Sequence, residues 1–192
     1  MTSQPEINNQ KNLKLKAVFI IGVIILLIVK YGQQQAPLSK YEKFIAPYQP
    51  DSIGLLISTI EFEKQANQEE KATFEDGIVP WVSINNPELD ILVNADEIVL
   101  PFKTATIIIR YPLNNPVRFE LRPSEKGFTR KQLIQEISRK YHEIYTEEEK
   151  PGNKTNGKYD IWGHDLSDLD LSTIDVHKRK DGKVFLILGI ES

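Results

Sequence analysis

The sequence predicts an α+β fold, in which an N-terminal transmembrane helix is followed by one antiparallel-sheet domain with a packed amphipathic helix. Three observations predict it: an apolar run near the N-terminus, several short β-branched and aromatic runs between turn residues, and one amphipathic stretch with a helix-start signal. They divide the chain into a polar tail (1–12), a signal-anchor helix (13–32), a stalk with a helical linker (33–76) and an α+β globular domain (77–192).

The first element is the apolar run. Ala17–Val29 has thirteen residues and no polar side chain, and as a helix it spans roughly 20 Å of the ~30 Å hydrocarbon core. Flanking residues extend the run to Leu13–Gly32, where Lys14, Lys16 and Lys30 can reach the lipid headgroups. We therefore expect a single-pass membrane protein that contacts the lipid bilayer through Leu13–Gly32.

Two alternatives to this anchor fit less well. A cleaved signal peptide needs a small-residue cleavage site, but no A-x-A pattern follows the run and Pro37 directly follows Ala36. A buried core helix normally keeps a polar edge, which this run lacks. Lysines near the span are slightly more numerous on its N-terminal side, which predicts a cytoplasmic N-terminus and an exported C-terminal domain.

The linker after the stalk is predicted to be helical. Asp51 or Ser52 would cap a helix that continues to about Lys64. The apolar residues at helical spacing are Ile53, Leu56, Ile57 and Ile60. The period is ambiguous, because the same stretch also alternates in ISTIEFEK. Residues 65–76 are polar and are predicted to form a loop or a frayed helix.

Strands are predicted from Gly77 onward. The runs IVPWVSI, DEIVLPF, TATIIIRYPL and VRFELRP are rich in β-branched and aromatic residues and are separated by turn signals. In the last two runs, the pairs Ile108/Arg110 and Arg118/Glu120 indicate one packed and one solvated face. This pattern is typical of an antiparallel sheet.

The clearest helix begins at Thr129. Thr129 and Gln132 match a capping box, and Pro151 ends the helix. The apolar positions that fall on one face are Leu133, Ile134, Ile137, Tyr141, Ile144 and Tyr145. His142 falls outside this face, and Glu136 and Lys140 are predicted to pair on the polar side.

The chain is predicted to close with a hairpin. Residues 173–178 and 183–190 flank Asp181-Gly182, a dipeptide that favours a tight turn. The second strand is apolar on both faces, which predicts a central position in the sheet.

Composition and motifs exclude several classes of function. Cysteine is absent, so thiolate sites are excluded. Residues 51–192 carry 18 Lys and Arg against 25 Asp and Glu, a net charge of −7, and a nucleic-acid partner is therefore not expected. The basic run at 177–180 is a hairpin end and is too small for a nucleic-acid groove. No P-loop, dinucleotide fingerprint or nucleophile elbow occurs, and we expect no cofactor.

The candidate site is the segment YDIWGHDLSDLDL (159–171). Its candidate ligand or site residues are Trp162, His164, Asp165, Asp168 and Asp170. In one interpretation the histidine and aspartates, with His177, bind a divalent metal ion, although their spacing matches no standard loop. In the other, Trp162 and the leucines are buried and the aspartates cap turns, so no metal is expected.

The C-terminal block resembles a group of uncharacterised proteins. From Gly127 the order is GFTRKQL, YHEIYTEEE, a polar loop, YDIWGHDLSDLDL and a hairpin that ends in LILGIES. The resemblance lies in the IWGHDL element and in the terminal LGI-acid-S, and it covers about a third of the chain. It implies no activity and no catalytic residue.

Two functions are compatible with these features. The first is a non-enzymatic, membrane-tethered domain that binds a protein or another ligand. The alternative is a small metal-dependent hydrolase centred on His164 and Asp165. The observation that separates them is whether these two side chains converge in a cleft with a third polar group.

Overall fold

A computed structural model describes residues 43–44, 53–121, 124–150 and 157–192. The predicted polar tail, the predicted transmembrane helix at 13–32 and nearly all of the stalk up to residue 52 lie outside these residues. Within the described ranges, no helix has the length and apolar character needed to cross a membrane.

The domain has one large sheet, two small ribbons and one long helix in its described part. The strands are β1 Lys43–Phe44, β2 Leu55–Glu61, β3 Lys64–Gln65, β4 Ile78–Val79, β5 Val82–Ser83, β6 Ile98–Leu100, β7 Thr106–Ile109, β8 Val117–Glu120, β9 Phe128–Thr129, β10 Asp170–Lys178 and β11 Val184–Glu191, and helix α1 is Arg130–Glu148. The large sheet has the order β1-β8-β7-β11-β10-β2, with β5 also paired to β10. The ribbons are β3-β4 and β6-β9. The α+β class is confirmed.

The large sheet is mixed, so the prediction of a purely antiparallel sheet is wrong. Strands β7 and β11 run parallel, with Thr106 opposite Phe185 and Ile108 opposite Ile187. The alternation of apolar and polar side chains along a strand indicates which face is exposed to solvent. It does not indicate whether a partner strand that is distant in sequence runs parallel or antiparallel. The predicted hairpin and the central position of β11 are both confirmed, because β11 lies between β7 and β10.

The helix predicted from residue 51 or 52 to Lys64 is wrong, because this stretch forms β2 and the start of β3. Strand β2 pairs antiparallel with β10, placing Ile60 opposite Ile174 in the core. Of the two periods in this stretch, the strand-like alternation of apolar and polar residues therefore matches the structure, and the helical spacing does not. The reason is tertiary, since β10 offers a hydrogen-bonding edge that a helix here would leave unpaired.

Helix α1 packs against the sheet as predicted, because its buried residues share one core cluster with residues of β7, β8, β10 and β11. Thr129 and Gln132 form the capping box, with Thr129 N–H donating to Gln132 Oε1 over 2.9 Å. All the predicted apolar positions are buried except Tyr145, which is half-buried. The placement of Lys140 on the polar side is wrong, because it is only 2% exposed. Its aliphatic stem is covered, while its ammonium donates to Glu143 over 2.7 Å.

Candidate functional site

The segment at 157–171 crosses the C-terminal end of α1 before it enters β10. Ile161 forms a bridge with Leu113, and Leu166–Asp168 form a single 3-10 turn. The backbone N–H of Asp165 donates to the Asp168 carboxylate over 3.2 Å. The following Leu169 is fully buried. These contacts agree with the interpretation in which aspartates cap turns and leucines enter the core.

An acidic pocket lies between this segment and the end of α1. We define it by its lining residues, which are Tyr145, Glu148, Glu149, Ile161, Gly163, His164, Asp165 and Asp168. Its volume is about 460 Å³. The lining includes four carboxylates and one imidazole, and none of the described residues that line it is a lysine or an arginine. A site of this composition attracts cations and repels anions.

An exposed aromatic cluster borders the acidic pocket. Trp162 meets Tyr111 edge-to-face at a centroid distance of 5.3 Å, and His164 lies 5.4 Å from Tyr111 and 5.7 Å from Trp162. Trp162 is 45% exposed, so its assignment as a core aromatic is wrong. Tyr159, at 1% exposure, fills the core instead.

The backbone explains which of these two aromatic residues is buried. Asp160 and Gly163 both have positive φ, of 51° and 73°, so the segment follows neither a helical nor a strand period. Between them, the Trp162 N–H donates to the Pro112 carbonyl over 3.0 Å. This bond holds the backbone of Trp162 against the loop after β7, while its ring remains at the surface.

Two tyrosines of α1 support the site from beneath. The Tyr145 hydroxyl donates to the His164 carbonyl over 2.9 Å, and the Tyr141 hydroxyl donates to the Tyr111 carbonyl over 2.7 Å. Burial, together with the negative charges of Asp165 and Asp168, raises the pKa of Tyr145 to about 12. The hydroxyl therefore remains protonated at neutral pH and donates to the His164 carbonyl.

Glu148 lines the acidic pocket but was not among the site residues predicted from the sequence. Its carboxylate accepts from the backbone N–H groups of Tyr159 over 3.1 Å and Ile161 over 3.4 Å, which ties the segment to α1. A signal was present, because consecutive glutamates at a helix C-terminus oppose the helix dipole and need a compensating donor. The run 147–149 is otherwise typical of a solvated helix end.

The structure brings three of the predicted site residues into the acidic pocket and places the others outside its lining. His164, Asp165 and Asp168 share the acidic pocket. Asp170 lies outside this lining as the first residue of β10, where burial raises its pKa and the charge of Lys64 opposes that rise. His177 is near the other end of β10, with Nδ1 3.3 Å from the Gly54 carbonyl oxygen.

A metal site of this kind needs at least three His, Asp or Glu side chains that converge on one point. The described residues contain no such cluster. His164 and Asp165 do share a cleft with further polar groups, among them Asp168, which is engaged by the turn, and Glu148, which accepts from backbone N–H groups. The metal-dependent hydrolase therefore remains the alternative hypothesis.

Comparison of the chain with protein-family models, with curated proteins and with solved structures gave no match. The fold and the site together define an α+β domain with an acidic, aromatic-edged pocket.

Proposed function

We propose that this chain is a single-pass membrane-anchored protein whose α+β domain binds a protein partner through a lysine or arginine side chain held in the acidic pocket. The observation that carries the proposal is the exposed Trp162 ring in contact with His164, which lines the acidic pocket together with four carboxylates. Tryptophan is enriched among the residues that contribute most to protein interfaces, and its face attracts cations.

The supporting contacts indicate a preformed site. Glu148 and Tyr145 fix the backbone of the segment, and Tyr111 packs edge-to-face against Trp162. A preformed site loses little conformational entropy when it binds. Asp165 and Glu149 are exposed at the acidic pocket and can each approach a cationic group.

Trp162 fluorescence provides the test. The chain has two tryptophans, so Trp81→Phe leaves Trp162 as the reporter. The full-length chain in detergent is titrated with an oligo-arginine peptide. We expect a saturable change in emission, with affinity reduced about two- to fivefold by each of Asp165→Asn and Glu149→Gln, the value of a partly exposed ion pair.

Asp90→Asn is the matched control, because Asp90 is an exposed carboxylate outside the lining of the acidic pocket. It should bind the peptide as the parent chain does. Equal affinities for all three variants, or an equal response to oligo-glutamate, would contradict the proposal.

The partner can be captured in native membranes by the aromatic photo-crosslinking residue p-benzoylphenylalanine at position 162, which keeps an aromatic ring there. The same residue at position 146 is the control, because Thr146 is exposed on α1 and does not line the acidic pocket. We expect a product specific to position 162 that weakens in the Asp165→Asn chain. Identical products at both positions would argue against a site at the acidic pocket.

A further inference from the structure

A second exposed surface lies at the other end of the β10–β11 hairpin. It joins three consecutive aliphatic side chains of β2 to the basic residues of the hairpin turn, and we call it the apolar–basic tip. Its members are Leu55, Leu56, Ile57, Lys178, Arg179, Lys180 and Lys183. The aliphatic members are 77%, 55% and 47% exposed, and they are three of the five large hydrophobic residues exposed in the described ranges.

Backbone packing places the aliphatic and basic residues side by side at this end of the sheet. Leu55 lies opposite Lys178 in the β2–β10 register. Just before it, Gly54 has φ +92° and lies so close to the turn that a Cβ would fall 2.3 Å from the Lys178 carbonyl oxygen. Only glycine allows this approach. The aliphatic run is therefore fixed directly beside the cationic turn.

The charge of the apolar–basic tip is opposite to that of the domain. It carries four cations and one carboxylate, Asp181, which pairs with Arg179 over 3.0 Å. Residues 51–192 as a whole carry a net charge of −7. Adjacent aliphatic and basic side chains are the combination that binds anionic lipid surfaces, where apolar groups enter the headgroup boundary and cations pair with phosphates.

We propose that the apolar–basic tip docks onto an anionic lipid bilayer. The occupant is lipid rather than the β2 edge of a second copy, because the ladder of β2 is interrupted. Ser58 pairs with Val176 and Leu56 pairs with His177, which leaves Ile57 as an extra residue. Such a bulge blunts edge-to-edge pairing of strands. It does not hinder insertion of side chains into lipid.

Chain length is compatible with docking. The predicted membrane span ends at Gly32, so residues 33–54 precede the apolar–basic tip. Fully extended, this length of chain reaches at most roughly 75 Å. A domain tethered in this way searches a small volume near the bilayer, which raises the effective concentration of lipid at the apolar–basic tip.

The absence of cysteine allows a direct test. The full-length Leu56→Cys chain carries an environment-sensitive NBD label and is placed in nanodiscs of phosphatidylcholine, alone or with phosphatidylglycerol. We expect blue-shifted, brighter NBD emission in the anionic discs that reverses at high salt, where exposed charges are screened. The same label at Thr146→Cys, on the exposed face of α1, should keep an aqueous spectrum.

Charge variants test the basic half of the surface. Lys180→Gln and Lys183→Gln should each lower the ratio of docked to undocked domain by about fivefold, because a basic residue near an anionic surface contributes about 1 kcal/mol. Both side chains are exposed, and matched far-ultraviolet spectra and melting curves will show that the fold is retained.

Three results would overturn the proposal. In the first, the label at position 56 in anionic discs would show the same aqueous emission spectrum as the label at position 146. The charge variants would dock like the parent chain. Alternatively, the label would be shielded equally in lipid-free detergent and would become exposed on dilution, which would identify a second copy of the chain as the occupant.

Discussion

The acidic pocket and the apolar–basic tip lie at opposite ends of β10, and they contrast in charge and in chemistry. The acidic pocket combines carboxylates with aromatic rings, whereas the apolar–basic tip combines aliphatic chains with cations. Asp170 and Lys178 mark the two ends of the strand, which corresponds to about 26 Å at the rise of a β-strand. One strand therefore separates two surfaces of opposite sign, so that a ligand at one need not compete with a ligand at the other.

The two surfaces are also supported differently. Two side-chain hydrogen bonds support the acidic pocket. The Tyr145 hydroxyl donates to the His164 carbonyl, and the Glu148 carboxylate accepts from the Tyr159 N–H. The apolar–basic tip depends on backbone packing at Gly54. Substitutions can therefore disturb one surface without the other, unless they act on the core that carries both.

The largest effect is expected where both surfaces share their support. Ile137 is completely buried on α1, and Ile137→Asp places an unpaired charge in the core. We expect a loss of about 4 kcal/mol or more in the free energy of unfolding, measured by chemical denaturation. His142→Ala removes only an exposed contact to the Asn85 carbonyl and should cost at most about 1 kcal/mol. Similar stabilities for the two variants would show that α1 is not the common support.

The next effect separates stability from binding within the acidic pocket segment. Tyr159 is buried and Trp162 is exposed. Tyr159→Ala should therefore destabilise the domain by about 3–4 kcal/mol through a cavity. Trp162→Ala should cost less than about 1 kcal/mol yet abolish the response to oligo-arginine, followed by calorimetry because the reporter is lost. A larger loss of stability for Trp162→Ala would contradict this prediction and would indicate that the Trp162 ring belongs to the core.

A smaller effect is expected at the apolar–basic tip, where two glycines form a matched pair. Gly54 and Gly182 have similar φ angles of +92° and +86°, but only Gly54 would place a Cβ against backbone. Gly182→Ala should cost about 1 kcal/mol from conformational strain, and Gly54→Ala about 2–3 kcal/mol from strain and collision together. Thermal melting measures both. Equal shifts would mean that the backbone approach at Gly54 contributes nothing.

The smallest expected effect is zero. Calcium, magnesium, manganese, zinc or a chelator should leave the melting temperature unchanged, because an ion that binds only the native state must raise stability by mass action. The control is His164→Ala. A rise in melting temperature with any of these ions that disappears in this variant would favour the metal-dependent hydrolase over the proposed binding site.

Local signals predicted the elements whose contacts are local. The capping box of α1 and its apolar face depend on residues within one helix, and the Asp181-Gly182 turn connects neighbouring strands. Both predictions are confirmed for this reason. The fold class followed from them, since a helix and several half-buried runs leave few other ways to form a core.

Features set by distant contacts were not predictable. The parallel pairing joins Thr106 to Phe185, and nothing near either residue indicates the other. The choice between Tyr159 and Trp162 for the core depends on the positive φ of Asp160, in a segment without a regular period. Glu148 entered the site through bonds to a later loop. The sequence did place His164, Asp165 and Asp168 in one candidate group, because a short turn kept them together.

The central position of β11 sets the order in which the domain can be built. Its two neighbours, β7 and β10, are made earlier, and each keeps an open edge until synthesis reaches residue 191. Helix α1 likewise has an incomplete sheet to cover until then. A nascent chain therefore cannot complete the large sheet until β11 has been made, because β11 pairs with both β7 and β10. Such late closure suits a polypeptide that threads through a translocation channel before it folds, as the predicted export of this domain would require.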